Sequence, residues 1–239
     1  MPAMHFTSDT HFRHRLLARE RGFAPGTPSA ADVSEEQIAA HDEAIIATWN
    51  RHVQPHDIVW HLGDLALVAP SRLAEIVPRL NGRIRLVLGN HDRAHPLFGE
   101  RSIRALRETL DLGIEWAGAF AAVKVPPTRE LSARNGSVPH RVLLSHFPYS
   151  ADHTDDPRET QWRLRDEDAT LLHGHTHAVS ATEEALPRQI HVGWDAWGRP
   201  AAAHEIAAII EDRIRRTGVG PMRDDRFSDR PQRRRYPHG

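Results

Sequence analysis

Five apolar stretches of strand length each end in a short run of Gly, Asp, Asn or His, and that recurrence constrains the fold more than anything else in the chain. Met4–Thr7 leads into Asp9-Thr10-His11, Asp57–His61 into Gly63-Asp64, and Ile84–Leu88 into Gly89-Asn90-His91-Asp92. Further on, Val142–Ser145 leads into His146-Phe147-Pro148, and Ala169–Leu172 into His173-Gly174-His175-Thr176-His177. Several of these runs are too apolar for a sheet face in water, so they read as strands covered on both sides. Ala119–Val125 and Gln189–Val192 add two more.

Helical patterns alternate with the strands. Ser34 followed by Gln37 is a capping-box start for a helix through about His52, with Ile38, Ile45, Ile46 and Trp49 at helical spacing. Pro70–Leu80, interrupted at Pro78, Arg101–Leu110 and Ala201–Arg213 read as further helices. Arg21–Asp32 and Pro126–Pro139 read as irregular, the second as a surface hairpin loop. The alternation predicts a layered α/β domain with its site in the loops at strand ends.

A chain of 239 residues can bury one substantial core, which sets a single domain as the expectation. That domain is placed at 1–216. Residues 217–239 carry few apolar side chains and the run Arg233-Arg234-Arg235, and read as a disordered, solvated tail. A formal net charge of -1 leaves no global field to draw the protein to nucleic acid or an anionic membrane. With no cysteine, disulfides, thiolate metal sites and cysteine nucleophiles are all excluded, and any metal must be held by His, Asp, Glu or Asn. The N-terminus turns polar too early for a signal peptide, and no apolar window approaches the ~18 residues of a membrane span. A cytoplasmic protein is expected.

The polar clusters have a chemical logic. Two side chains two positions apart in an extended strand end point the same way, so Asp9 and His11, or His175 and His177, could grip one ion. Gly63 and Gly89 let the backbone turn or approach closely beside a ligand. A carboxylate such as Asp64 has two oxygens and can bridge two cations. Taken singly, Asp-x-His or Gly-Asp occurs by chance. Gly-Asn-His-Asp and Gly-His-Thr-His are more specific, because neighbouring histidines at a buried strand end are costly to desolvate without partners.

In order, Asp9-x-His11, Gly63-Asp64, Gly89-Asn90-His91-Asp92, Ser145-His146 and Gly174-His175-x-His177 resemble the five motifs of calcineurin-like metallophosphoesterases. The likeness extends toward Gly193-Trp194-Asp195. Asp-Thr-His-Phe at the start and Trp49-Asn50 resemble a small bacterial and phage subgroup. The resemblance implies a four-layer α/β/β/α sandwich with a dinuclear metal centre at the strand ends. By that likeness Asp9, His11 and His177 hold one metal, Asn90, His146 and His175 the other, and Asp64 bridges them. A hydroxide shared by two ions about 3.5 to 4 Å apart would attack phosphorus in line, and His91 would serve the leaving oxygen as the catalytic histidine. Mn²⁺ is the favoured ion, with Fe, Zn or Co suiting the same nitrogen and oxygen donors.

Around that centre, His61, His173 and His191 read as packed supporting histidines. Asp92 reads as orienting a neighbour or capping a turn. His14 and Arg13 stay open as phosphate contacts, and His95, His153 and His204 read as exposed or loop positions. Leu67 stands where protein phosphatases of the superfamily carry an acid, which argues against protein-phosphatase activity. The expected substrate is a phosphodiester, small or nucleotide-like, with phosphomonoesters next. A nuclease is less favoured, because charge is near neutral and aromatics are few. A metal-binding scaffold without activity is the reading from a different class.

Overall fold

The computed structural model describes residues 2–135, 138–152, 156 and 158–218. All seven expected strands form, and they divide between two sheets. The first holds β1 (Met4–Thr7), β2 (Ile58–His61), β3 (Arg83–Val87) and β4 (Trp116–Gly118), paired in parallel. The second holds β5 (Phe120–Val125), β6 (His140–Ser145), β7 (Thr170–His173) and β8 (Gln189–His191), parallel except for β5. A two-residue strand, β9 (Ala201–Ala202), closes the first sheet antiparallel to β1.

Side-chain alternation divides the core. Phe6, Trp60 and Val87 of the first sheet pack with Val142, Leu144, Leu172 and Ile190 of the second. On the opposite face, Val59, Ile84 and Leu86 pack with Ile45, Ile46 and Trp49. Those last three belong to the long helix over Glu35–His52, which has the expected capping box: Gln37 N–H donates to Ser34 Oγ, and Ser34 N–H donates to Gln37 Oε1. Fully burying each such side chain contributes about 1.5–3 kcal/mol, so the interlocked faces dominate the fold's stability. The indole of Trp49 donates to Asn81 O at 2.8 Å, and Asn50 accepts from Asn81 N–H at 2.7 Å, tying the helix to the turn before β3. The result is an α/β architecture of two facing sheets flanked by helices.

In chain order the helices are α1 (Arg15–Glu20), α2 (Glu35–His52), α3 (Arg101–Asp111), α4 (Arg129–Asn135), α5 (Trp194–Trp197) and α6 (Ala203–Thr217). Three expectations are corrected here. Pro70–Leu80 is not a helix but two short 3-10 turns, Pro70–Leu73 and Val77–Arg79, because Pro78 has no N–H to give the preceding turn. Pro126–Pro139 is not a hairpin loop, since α4 lies within it. Its start is marked by Thr128, whose carbonyl and hydroxyl accept from Ser132 N–H and Leu131 N–H. Ala201–Arg213 begins as β9 and continues as a helix to Thr217, where Gly218 takes a left-handed conformation.

The expected disordered tail, with Arg233-Arg234-Arg235, lies outside the described residues apart from Thr217 and Gly218, and so does His153. Among the described residues, no helix is long and apolar enough to cross a membrane.

Candidate metal centre

The parallel strands β1, β2, β3, β6 and β7 end at one edge, and the seven expected ligand side chains meet there. Past β1 the chain runs beside the segment past β2. Asp9, His11 and Phe12 N–H donate to the carbonyls of Gly63, Asp64 and Leu65. Asp9-x-His11 and His175-x-His177 are not extended strand ends, however. Asp9, His11, Asp64, His175 and His177 all take positive φ, between 49° and 70°. Left-handed backbone costs a non-glycine residue roughly 1–2 kcal/mol, and five such residues in one cluster mark a site where geometry is held against local preference. Left-handed turns, rather than strand alternation, bring each Asp or His to its partner.

Two glycines make the approach possible. A Cβ on Gly89 would lie 2.2 Å from Asp64 Oδ1, and one on Gly174 would lie 2.5 Å from Asp9 Oδ2. Behind them, Asp92 accepts from the N–H groups of Asp64, Leu65 and Gly89 at 2.9, 3.1 and 2.7 Å, so it fixes the two segments that carry Asp64 and Asn90. Asp9 is held by Ser8 Oγ–H at 2.6 Å and His175 N–H at 3.2 Å.

The ligand atoms form two adjoining groups. In one, His11 Nε2 lies 3.2 Å from His177 Nε2, 3.9 Å from Asp9 Oδ1 and 3.7 Å from Asp64 Oδ2. In the other, Asn90 Oδ1 lies 3.1 Å from His146 Nε2 and 3.0 Å from His175 Nδ1, while His146 Nε2 lies 3.5 Å from Asp64 Oδ2. The opposite ring nitrogens settle which atoms carry protons. His146 Nδ1 donates to Leu62 O at 2.8 Å, His177 Nδ1 to Asp195 at 2.7 Å and His175 Nε2 to Asp152 at 3.3 Å. In the neutral form of these three rings the inward nitrogen therefore carries a lone pair. These nitrogen and oxygen donors suit a divalent transition metal.

The electrostatics agree. Burial pushes His175 down to about 3 and His11 well below its ordinary range, so both stay neutral. His177 is raised, because Asp195 and Asp9 outweigh its burial. Asp9 and Asp64 are shifted in opposite directions. Burial and the charge of Asp9 raise Asp64, while His146, His177 and His11 overcome burial and lower Asp9.

His91 stands beside the cluster, half-exposed, with Nε2 3.8 Å from Asp64 Oδ2. Burial, followed by His146 and His14, holds it down to about 4. It lines a cavity of about 530 Å³, as do His14, Arg21, Arg158 and the apolar side chains Leu16, Leu17, Leu67 and Val179. His14 also accepts from Leu17 N–H at the start of α1. His61 is buried against Thr10 Oγ1 at 2.9 Å, and His173 and His191 lie side by side across β7 and β8. His95, expected at an exposed or loop position, lies just before the 3-10 turn Pro96–Phe98 but is buried between Phe147 and Trp162, because the segment 158–163 folds over it.

Sequence reasoning missed Arg21, placed in an irregular segment, and Asp152. It quoted Asp195 only as an extension of the motifs. Arg21 pairs with both oxygens of Asp195 at 2.8 and 3.1 Å. None of the three stands in a local pattern that announces the pairing.

Known proteins resemble this chain over most of its length. The chain is 38% identical over 213 residues to the Gene 66 protein of Mycobacterium phage D29, covering 87% of this chain and 95% of that one. It is 36% identical over 218 residues to the Gene 66 protein of Mycobacterium phage L5, covering 90% and 97%. A solved protein of unknown function from Aquifex aeolicus shares the fold at a TM-score of 0.55 and 21% identity, over 88% of this chain and all of that one. The sequence profile of the calcineurin-like phosphoesterase superfamily domain matches residues 4–211. The chain belongs to the calcineurin-like phosphoesterase superfamily, a family of metal-dependent phosphoesterases.

Proposed function

We propose that the protein is a phosphodiester hydrolase working with two divalent cations, one held by Asp9, His11 and His177, the other by Asn90, His146 and His175, with Asp64 between them. The observation that carries this reading is the convergence of nitrogen and oxygen donor atoms from seven side chains at 3.0–3.9 Å. When bound, the cations supply positive charge for the phosphoryl oxygens and make hydroxide available near neutral pH.

The chain's own residues do the rest. Ser8, Asp152 and Asp195 orient the donors they touch. Hydrolysis breaks the bond from phosphorus to the leaving oxygen, which must take up a proton, and His91 lines the cavity where that oxygen would lie. Burial keeps His91 neutral, and the negative charge of a bound phosphate raises its proton affinity.

The cavity wall supports a diester over a monoester. A monoester brings a second negative charge that needs a cation of its own. Of the two arginines in the lining, Arg21 is committed to Asp195 and Arg158 lies 3.9 Å from Asp152. The wall of Leu16, Leu17, Leu67 and Val179 instead suits the second ester substituent of a diester.

The test is hydrolysis of bis-p-nitrophenyl phosphate and p-nitrophenyl phosphate after chelation and return of Mn²⁺. Mn²⁺-dependent turnover of the diester well above the monoester is expected. Preference for the monoester would reverse the substrate reading, and failure to take up metal would point to a scaffold.

A further inference from the structure

Arg21 is a cation in the wall of a cavity that takes a phosphate, yet all of its hydrogen-bonding capacity is directed into the protein. A guanidinium has five N–H groups, and here there are five contacts. Nε and Nη2 reach the two oxygens of Asp195 at 2.8 and 3.1 Å. Nη1 donates to Thr10 O at 2.9 Å and meets His41 Nε2 at 3.2 Å, and Nη2 donates to Asp9 O at 2.7 Å. The side chain is 11% exposed. An arginine so committed has no N–H left for a substrate oxygen.

Its partners all belong to one half of the centre. Asp195 accepts Nδ1–H of His177 and so turns the Nε2 lone pair toward His11. The carbonyls of Asp9 and Thr10 lie in the stretch where Asp9 and His11 are held left-handed. His41 in turn rests on Asp42 at 3.1 Å, and Asp42 accepts Arg13 N–H at 3.1 Å, which anchors the network on α2. The other half is oriented by Leu62 O and Asp152 and makes none of these contacts with Arg21.

We infer that Arg21 is the positioning residue for the Asp9, His11 and His177 half of the centre, acting through Asp195 and through the carbonyls of Asp9 and Thr10. This role rests on the two-cation reading above. Its consequence is asymmetric, because partners behind metal ligands change affinity about 10–100-fold when removed.

The experiment is calorimetric titration of Mn²⁺ into the chelated full-length protein, native and variant. The native chain should take up two ions. Arg21→Ala should weaken one binding step by about 10–100-fold and leave the other nearly unchanged, and Arg21→Lys, a single ammonium unable to span five acceptor atoms, should fall between. Asp195→Asn, nearly isosteric, should weaken the same step, and the double variant should be clearly less than additive. Equal loss at both steps, no loss at either, or additive effects would each overturn the role of Arg21 while leaving the two-cation reading intact. A native chain that binds no Mn²⁺ overturns both.

Discussion

Replacing Asp64 by Asn should make the metal-free protein more stable and the metal-loaded protein less so. Asp64 is 2% exposed, and its carboxylate oxygen lies within 4.8 Å of one on Asp9. At that distance, with an effective dielectric constant of about 20, two unit charges repel by roughly 3.5 kcal/mol. The metal-free chain relieves part of this by holding a proton on Asp64 more tightly, so the gain from Asn near neutral pH is about 1–3 kcal/mol, or about 2–12 °C in melting temperature for a chain this long. Asn retains an oxygen to accept His91 N–H, which Asp64 Oδ1 accepts at 2.9 Å.

The pH dependence has a definite sign. A carboxyl raised in the fold binds its proton more tightly there than in the unfolded chain, so native stability is lost as pH rises from 3.8 through the raised value. The advantage of Asn therefore grows as pH rises from 3.8 through the raised value. Metal acts in the opposite direction. At 100 times the dissociation constant each bound ion adds about 2.7 kcal/mol, and the variant, with an amide NH₂ among the lone pairs, should lose most of that gain. Thermal melts of both chains, chelated and with excess Mn²⁺, measure all four states. A chelated variant that melts below the native chain, or gains as much from Mn²⁺, would refute the placement of Asp64 between two cations.

Gly89→Ala would drive its Cβ to 2.2 Å from Asp64 Oδ1 and 2.6 Å from Asp64 N. Turnover should fall about 100-fold or more with the fold intact, as read by kinetics beside circular dichroism; full activity would show that the close approach is unnecessary. His91→Asn should lower turnover about 10²–10⁴-fold on diesters with alkoxide leaving groups, far less with p-nitrophenolate, and leave Mn²⁺ stoichiometry unchanged; equal losses on both would remove its role as proton donor. His61 and His95, pushed down to about 3 and about 4 by burial, stay neutral in the fold while the unfolded imidazoles charge below 6.5. Their contribution to the chelated protein should therefore be lost as pH falls from about 6.5 toward 4, against the opposite trend of Asp64, and a urea-midpoint difference between the native chain and His61→Gln/His95→Gln that stays flat across that range would contradict their burial.

Much of this protein was legible before any coordinates. Repeated apolar runs specify strands, and Ser34 with Gln37 specifies the start of a helix, because both signals act between near neighbours. The seven ligand-type residues were legible for a related reason. Each follows a strand, and parallel strands deliver their ends to one edge. Tertiary structure decided the rest. The left-handed turns at Asp9, His11, His175 and His177 come from packing of the segments past β1, β2 and β7, which overrides the extended geometry the local pattern suggested. Arg21 lies 174 positions from Asp195, and Asp152 lies 23 from His175. A single arginine or aspartate carries no periodicity, so such pairings leave no mark until folding closes the distance. The motifs and the family they resemble named seven side chains as candidate ligands, and only the packed structure determined which residues hold those side chains still.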